Sequence, residues 1–278
     1  MQWRCRNRTI DLGRPIVMGI LNVTPDSFSD GNRYSNVEAA LERAKHMVTE
    51  GAAIIDVGGE STRPGAAAVD EAVEIARVVP VIEGIAATSD IAISIDTSKP
   101  QVMAAAVAAG ACIVNDVHAL RAPGARSWAA ASEVGVCLMH MQGEPRTMQE
   151  NPHYDDVVAE VCEFLARERA ACIEAGIARE AIVLDPGIGF GKGAAHNLTL
   201  LKELSRFVAL SAPLLVGVSR KSFIGRILRR PVNERLYGGL GLAALAVMKG
   251  ARIVRTHDVA ATRDAIGMVS AVLQGIDS

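Results

Sequence analysis

Short apolar runs rich in Val and Ile recur along the chain without polar alternation. They are Ile16–Leu21, Ala53–Val57, Ile91–Ile95, Ala111–Val114, Val136–Met139, Ala181–Leu184, Leu214–Val218 and Arg252–Val254. A strand covered on both faces in a parallel sheet reads this way. Between the runs, apolar residues fall at helical spacing. In Asn36–Glu50 they are Val37, Ala40, Leu41, Ala44 and Val48, and Gly51 follows as a stop. Asp70–Ile85, Pro100–Ala109, Asp155–Gly176, Asn197–Leu204 and Tyr237–Lys249 behave alike, with Pro100 suited to a first helical turn and Gly110 and Gly176 to helix ends.

Eight strand-like runs, roughly one every 35 residues, match the repeat of a TIM barrel, the (β/α)8 fold. An open doubly wound sheet is the alternative; the even spacing favours closure. No low-complexity linker, tandem repeat or change of composition divides the chain, which is read as one domain over 1–278. Residues 1–14 precede the first run and are expected to cover the bottom of the barrel.

Each run gives way to a polar residue. In order these are Asn22, Asp56, Asp96, Asn115, His140, Asp185, Ser219 and the group Arg255-Thr256-His257. In a barrel they would form a ring at the C-terminal face, where such folds carry their chemistry. Single members such as Asp56 or Ser219 would serve equally as helix N-caps. Carboxylates and amides, with Lys221, Arg255 and His257 close by, suit a ligand with a donor-rich ring and an anionic tail.

Composition narrows this picture only slightly. The chain has 278 residues, 50% hydrophobic and 22% charged, with a formal net charge of -2, which argues against a nucleic-acid binder. No apolar stretch is long enough to span a bilayer and the first residues do not read as a signal peptide. Cys5, Cys112, Cys137, Cys162 and Cys172 show no Cys-x-x-Cys spacing; their apolar neighbours predict buried thiols in a reducing, cytoplasmic compartment. No His/Asp/Glu cluster has zinc or iron spacing. A labile Mg²⁺ would need only one or two protein oxygens, and Asn22 offers one. Neither a Gly-x-Gly-x-x-Gly nor a Walker sequence occurs.

Longer motifs go further. Met18-Gly-Ile-Leu-Asn-Val-Thr-Pro-Asp-Ser-Phe-Ser-Asp30 and Asp56-Val-Gly-Gly-Glu-Ser-Thr-Arg-Pro-Gly65 closely resemble the first and second signatures of dihydropteroate synthases. Asp96-Thr-Ser, Asn115-Asp116, Met139-His-Met-Gln-Gly143, Asp185-Pro-Gly-Ile-Gly-Phe-Gly-Lys192, Gly217-Val-Ser-Arg-Lys-Ser-Phe223 and Ile253-Val-Arg-Thr-His-Asp258 match in family order. The resemblance implies condensation of 6-hydroxymethyl-7,8-dihydropterin diphosphate with 4-aminobenzoate, releasing pyrophosphate and giving 7,8-dihydropteroate, by a substitution at the pterin methylene with a loose, cation-like transition state. It also implies a homodimer, although the apolar stretch Leu240–Val247 would serve an interface or the core equally well.

It implies roles as well. Asp96, Asn115, Asp185 and Lys221 face the pterin; Asn22 holds Mg²⁺; Thr62, Arg255 and His257 meet the diphosphate. Phe28, Thr62, Arg63 and Pro64, with Phe190 and Ser219, enclose the aminobenzoate, the pocket that sulfonamides take in this family. Asp30 approaches the metal or the cationic intermediate, and Asp30, Asp96 and Lys221 are the expected catalytic residues. Whether Asp56 and His140 touch ligand stays open. The pair Gly31-Asn32, and Lys192-Gly-Ala-Ala-His196 after the sixth strand, depart from the usual pattern without touching an assigned residue. Two other readings would share the pterin half of the ring. A corrinoid-dependent methyltransferase should lack the two long loop signatures. A non-catalytic pterin-binding paralogue should have lost Asp30, Arg63, Lys221 or Arg255.

Overall fold

In the computed structural model, which describes residues 1–24, 33–61, 68–144 and 147–275, the eight runs become eight parallel strands closed into a barrel. The chain opens with a hairpin of β1 (Gln2–Cys5) and β2 (Arg8–Asp11). The barrel strands are β3 (Ile16–Asn22), β4 (Ile54–Gly58), β5 (Ala92–Asp96), β6 (Ile113–Asp116), β7 (Gly135–Met139), β8 (Ile182–Asp185), β9 (Leu214–Gly217) and β10 (Ala251–Thr256), and β10 closes on β3. Closure excludes the open doubly wound sheet.

The outer helices are α1 (Arg33–Thr49), α2 (Glu71–Thr88), α3 (Pro100–Ala109), α4 (Ala125–Ser132), α5 (Val157–Glu174), α6 (Ala194–Lys202), α7 (Ser222–Leu228), α8 (Leu236–Met248) and α9 (Val259–Gln274). Their starts have local causes. The Asp70 side chain accepts from the Ala72 N–H ahead of α2, and Asp156 accepts from Val158 and Ala159 ahead of α5. The sequence pattern missed α4, α7 and α9 and drew α5 one turn too long.

Side chains alternate across each strand, and this decides what the barrel encloses. Met18, Ile54, Ala92, Ile113, Cys137, Val183, Leu215 and Ile253, one from each barrel strand, form a single apolar cluster. Trp3, Cys5 and Leu12 join it from the hairpin side, fully buried, and the Trp3 indole donates to the Ala181 carbonyl at 2.9 Å. The first residues thus plug the barrel bottom as expected, and they do so as a two-stranded hairpin. Outward-facing strand residues pack on the helices in a second, larger core.

Candidate active site

Further along most of these strands the same inward face turns polar. Asp56 stands above Ile54, Asn115 above Ile113, Asp185 above Val183 and Arg255 above Ile253, while Asn22 and Asp96 lie four beyond Met18 and Ala92. The apolar plug beneath and the strand ends above confine these groups to one shallow basin.

Arg255 organises the basin. Its Nε donates to Asp56 Oδ2 at 2.6 Å and its Nη2 to Asp96 Oδ2 at 2.7 Å. Asn115 Nδ2 donates to the same Asp56 oxygen at 3.1 Å. Asp56 is fully buried, and among the described residues its Oδ1 and that of Asp96 have no hydrogen-bond partner. Burial pushes the Asp96 carboxyl up to about 7; Arg255 pulls against that shift, and Asp56, Glu74 and Asp116 reinforce it. Burial also depresses Arg255, but Asp56 and Asp96 outweigh it and hold the guanidinium charged.

On the opposite wall, Asp185 Oδ1 accepts the Gly187 N–H at 2.7 Å. Burial raises this carboxyl, against the pull of that N–H, Lys221, Lys192 and Arg255. Lys221 Nζ sits 4.2 Å above the centre of the Phe190 ring, which rests on Val117, Met139, Met141 and Met148. Burial brings the Lys221 ammonium down to about 8, with Asp185 opposing. At the rim, Ser219 Oγ lies 3.0 Å from His257 Nδ1. Gly58 keeps the space beside Asn22 open: a methyl built on it would lie 3.8 Å from Asn22 Oδ1 and 3.6 Å from Asp96 Cβ.

Acceptors along one wall and cations along another accommodate a flat, donor-rich ring with an anionic substituent, and the comparisons agree. The family model for pterin-binding enzymes matches residues 18–257. The dihydropteroate synthase of Escherichia coli K12 is 51% identical over 273 residues, 98% of this chain and 97% of that protein. The chain belongs to the dihydropteroate synthase family of pterin-binding enzymes. Its activity is that of a dihydropteroate synthase, a transferase. Two solved structures superpose closely: the Xanthomonas albilineans dihydropteroate synthase with 4-aminobenzoic acid, at TM-score 0.93 and 48% identity with 98% of each chain covered, and the same enzyme in complex with 7,8-dihydropteroate, at 0.89 and 45% with 99% of each covered.

Within this dihydropteroate synthase, the residues expected from sequence fall into three groups. Asp96, Asn115, Asp185, Lys221, Arg255, Ser219, His257, Phe190 and Asn22 gather at the C-terminal mouth. Phe28, Asp30, Thr62, Arg63 and Pro64 lie outside the described residues. His140 does not join the ring. It follows inward-facing Met139, so its side chain turns outward, packs edge-on to Phe164 at 4.8 Å and meets Lys192 Nζ at 2.8 Å through Nδ1. Asp56 is fully buried and bonds to Arg255 and Asn115. Nor is Asp96 a helix cap: Lys99 occupies the cap position of α3, without a side-chain bond. Cys162 is half-buried, whereas the other four thiols are buried as predicted; it lies on α5, between a core-facing and a solvent-facing row.

Sequence reasoning passed over two further arrangements. Lys192 is buried and surrounded by acceptors on the loop after β8. Lys99 bonds the Glu60 carboxylate, the Val69 carbonyl at 2.7 Å and Glu74 Oε2 at 2.6 Å. The partners Glu60 and Glu74 lie 39 and 25 residues from Lys99, and His140 lies 52 from Lys192, so only the assembled fold reveals these contacts.

Proposed function

We propose that the basin binds 6-hydroxymethyl-7,8-dihydropterin diphosphate with its ring against Asp185, Asn115, Asp96 and Lys221. Asp185 accepts from the ring's paired donors, Asn115 meets its mixed edge, and Lys221 donates to its carbonyl. The diphosphate lies toward Arg255, His257 and Thr62. The 4-aminobenzoate is enclosed by Phe28, Thr62, Arg63 and Pro64, with Phe190 and Ser219 beside it, and sulfonamides would compete there. The observation that carries this reading is the convergence of Asp96, Asn115, Asp185, Lys221 and Arg255 on one inward face above a sealed apolar floor.

The methylene carbon–oxygen bond breaks with its electron pair leaving on the diphosphate. The amine nitrogen then forms the new bond and releases a proton to water. Asp96 and Asp30 stabilise the positive charge that develops, while Lys221 and Arg255 fix the ring and the leaving group; the protein contributes position and electrostatics. Among the described residues no three His, Cys, Asp or Glu side chains could hold a metal together. A Mg²⁺ carried mainly by substrate oxygens needs only one protein oxygen, which Asn22 would supply into the space beside Gly58. Mg²⁺ bound there would neutralise charge on the departing diphosphate.

The whole of 1–278 is proposed as one pterin-binding domain acting in the cytoplasm as a homodimer. All five cysteines are free, as a reducing compartment requires, and among the described residues no helix is long and apolar enough to cross a membrane. Pyrophosphate release is expected only when pterin diphosphate, 4-aminobenzoate and Mg²⁺ are all supplied. A folded sample that releases none under those conditions overturns the reading.

A further inference from the structure

The loop after β8 carries two groups of the basin, the Gly187 N–H on Asp185 and the Phe190 ring under Lys221. It is an irregular segment: Gly187, Gly189 and Gly191 all have positive φ, so it is neither helix nor strand, and its own bonds are the Phe190 N–H to the Gly187 carbonyl at 3.1 Å and the Gly189 N–H to Asn197 Oδ1 at 2.6 Å. A methyl on Gly189 would come 2.9 Å from Lys221 Cδ, which shows how tightly the loop and that lysine fit.

Lys192 supplies what the backbone lacks. It is only 2% exposed, and its Nζ donates to the carbonyls of Gly187 at 3.0 Å, Phe190 at 2.9 Å and His140 at 3.2 Å. A fourth neighbour is His140 Nδ1 at 2.8 Å. Burial, then Lys192 itself, drives the His140 imidazole down to about 2, so it is a neutral partner to the amine. Two further carbonyls of the loop have outer pins: Gln149 Nε2 donates to Gly189 O and Tyr154 Oη to Gly191 O, both at 2.8 Å. A lysine desolvated to this extent is costly unless its donors are used, and these three carbonyls use them.

We propose that Lys192 is a positioning residue for the pterin site: it grips the Gly187–Phe190 turn from beneath and thereby sets the placement of Asp185 and of the Phe190–Lys221 pair. This rests on the pterin reading above. The test is titration calorimetry of pterin diphosphate with Mg²⁺ on folded Lys192→Met, Gln149→Leu and Lys221→Ala proteins and on the two double variants carrying Lys221→Ala. Lys192→Met should weaken binding about tenfold and Gln149→Leu about threefold, each penalty shrinking once Lys221 is already gone, because coupled groups are not additive. A lysine that merely fills space gives unchanged affinity, or penalties that add in the double variants, and either result overturns the proposal. Should Lys192→Met fail to fold, Gln149→Leu decides alone, since Gln149 is half-exposed and loses a single bond. A wild-type protein that binds no pterin diphosphate overturns the function reading instead.

Discussion

At the scale of single residues the basin is governed by partly desolvated charges set close together. Arg255 is shared between Asp56 and Asp96, so its geometry is fixed before any ligand arrives. Such preorganisation spares the reacting complex the cost of reorienting a long side chain. Lys221 is the group whose titration should be visible. Its folded value is brought down to about 8, so its proton is present at neutral pH and lost as the pH rises through that value. If the ammonium donates to the pterin ring, kcat/KM for the pterin substrate falls on the alkaline side with a limb near pH 8. In Lys221→Arg the guanidinium stays charged and the limb should move upward, whatever the overall rate. A pH profile of the variant that keeps the wild-type limb would assign the titration elsewhere.

At the scale of elements the loops depend on clamps supplied by neighbouring helices. The segment after β4 leaves the barrel at Gly59, whose carbonyl accepts from Arg77 of α2 at 2.8 Å, and returns at Val69. Glu60 Oε1 accepts the Val69 N–H at 3.2 Å, and Lys99, at the start of α3, joins Glu60, Val69 and the fully buried Glu74 of α2. One ammonium thus closes the neck of the segment and neutralises a carboxylate that has no exposure. Removing it by Lys99→Met leaves Glu74 as an unpaired buried charge and should cost about 3 kcal/mol. Adding Glu74→Leu removes the stranded carboxylate as well, so the double variant should recover much of that loss in urea unfolding. A double variant no more stable than the single would refute the pairing as the source.

At the scale of the whole molecule the barrel separates stability from chemistry. The hairpin and the apolar cluster seal the lower half, while the upper half of the same strands holds nearly every charge buried in the barrel. In the Leu240–Val247 stretch Ala243, Ala246 and Val247 are buried, Gly241 is exposed and the rest are half-buried. Exposed apolar residues are scattered over the surface, and five of them fall on α8 and α9: Tyr237 is 82% exposed and Val272 81%, with Met248, Met268 and Leu273 also open. α8 and α9 pack side by side, and we predict that the proposed homodimer forms through the exposed residues of this pair. Sedimentation equilibrium should return about twice the 29.3 kDa chain mass, and a monomer at micromolar concentration would reject that surface.

Much of this was legible in the amino-acid order. Strands buried on both faces announce themselves as apolar runs, and their spacing sets the barrel. The long signatures name the family. The period of two within each run even carries the ring: Asp56, Asn115, Asp185 and Arg255 share parity with the apolar floor, whereas His140 does not, and that parity is why it packs outward against Phe164. Short helices such as α4 and α7 gave too few turns to show a period, and the exposed apolar residues of α9 blurred its stripe. Only the tertiary structure could decide which charges meet. The bond between Arg255 and Asp56 joins residues 199 apart in the chain, and Lys192 finds His140 52 residues away. Local sequence fixes what each strand presents inward; closure of the sheet alone fixes who stands opposite.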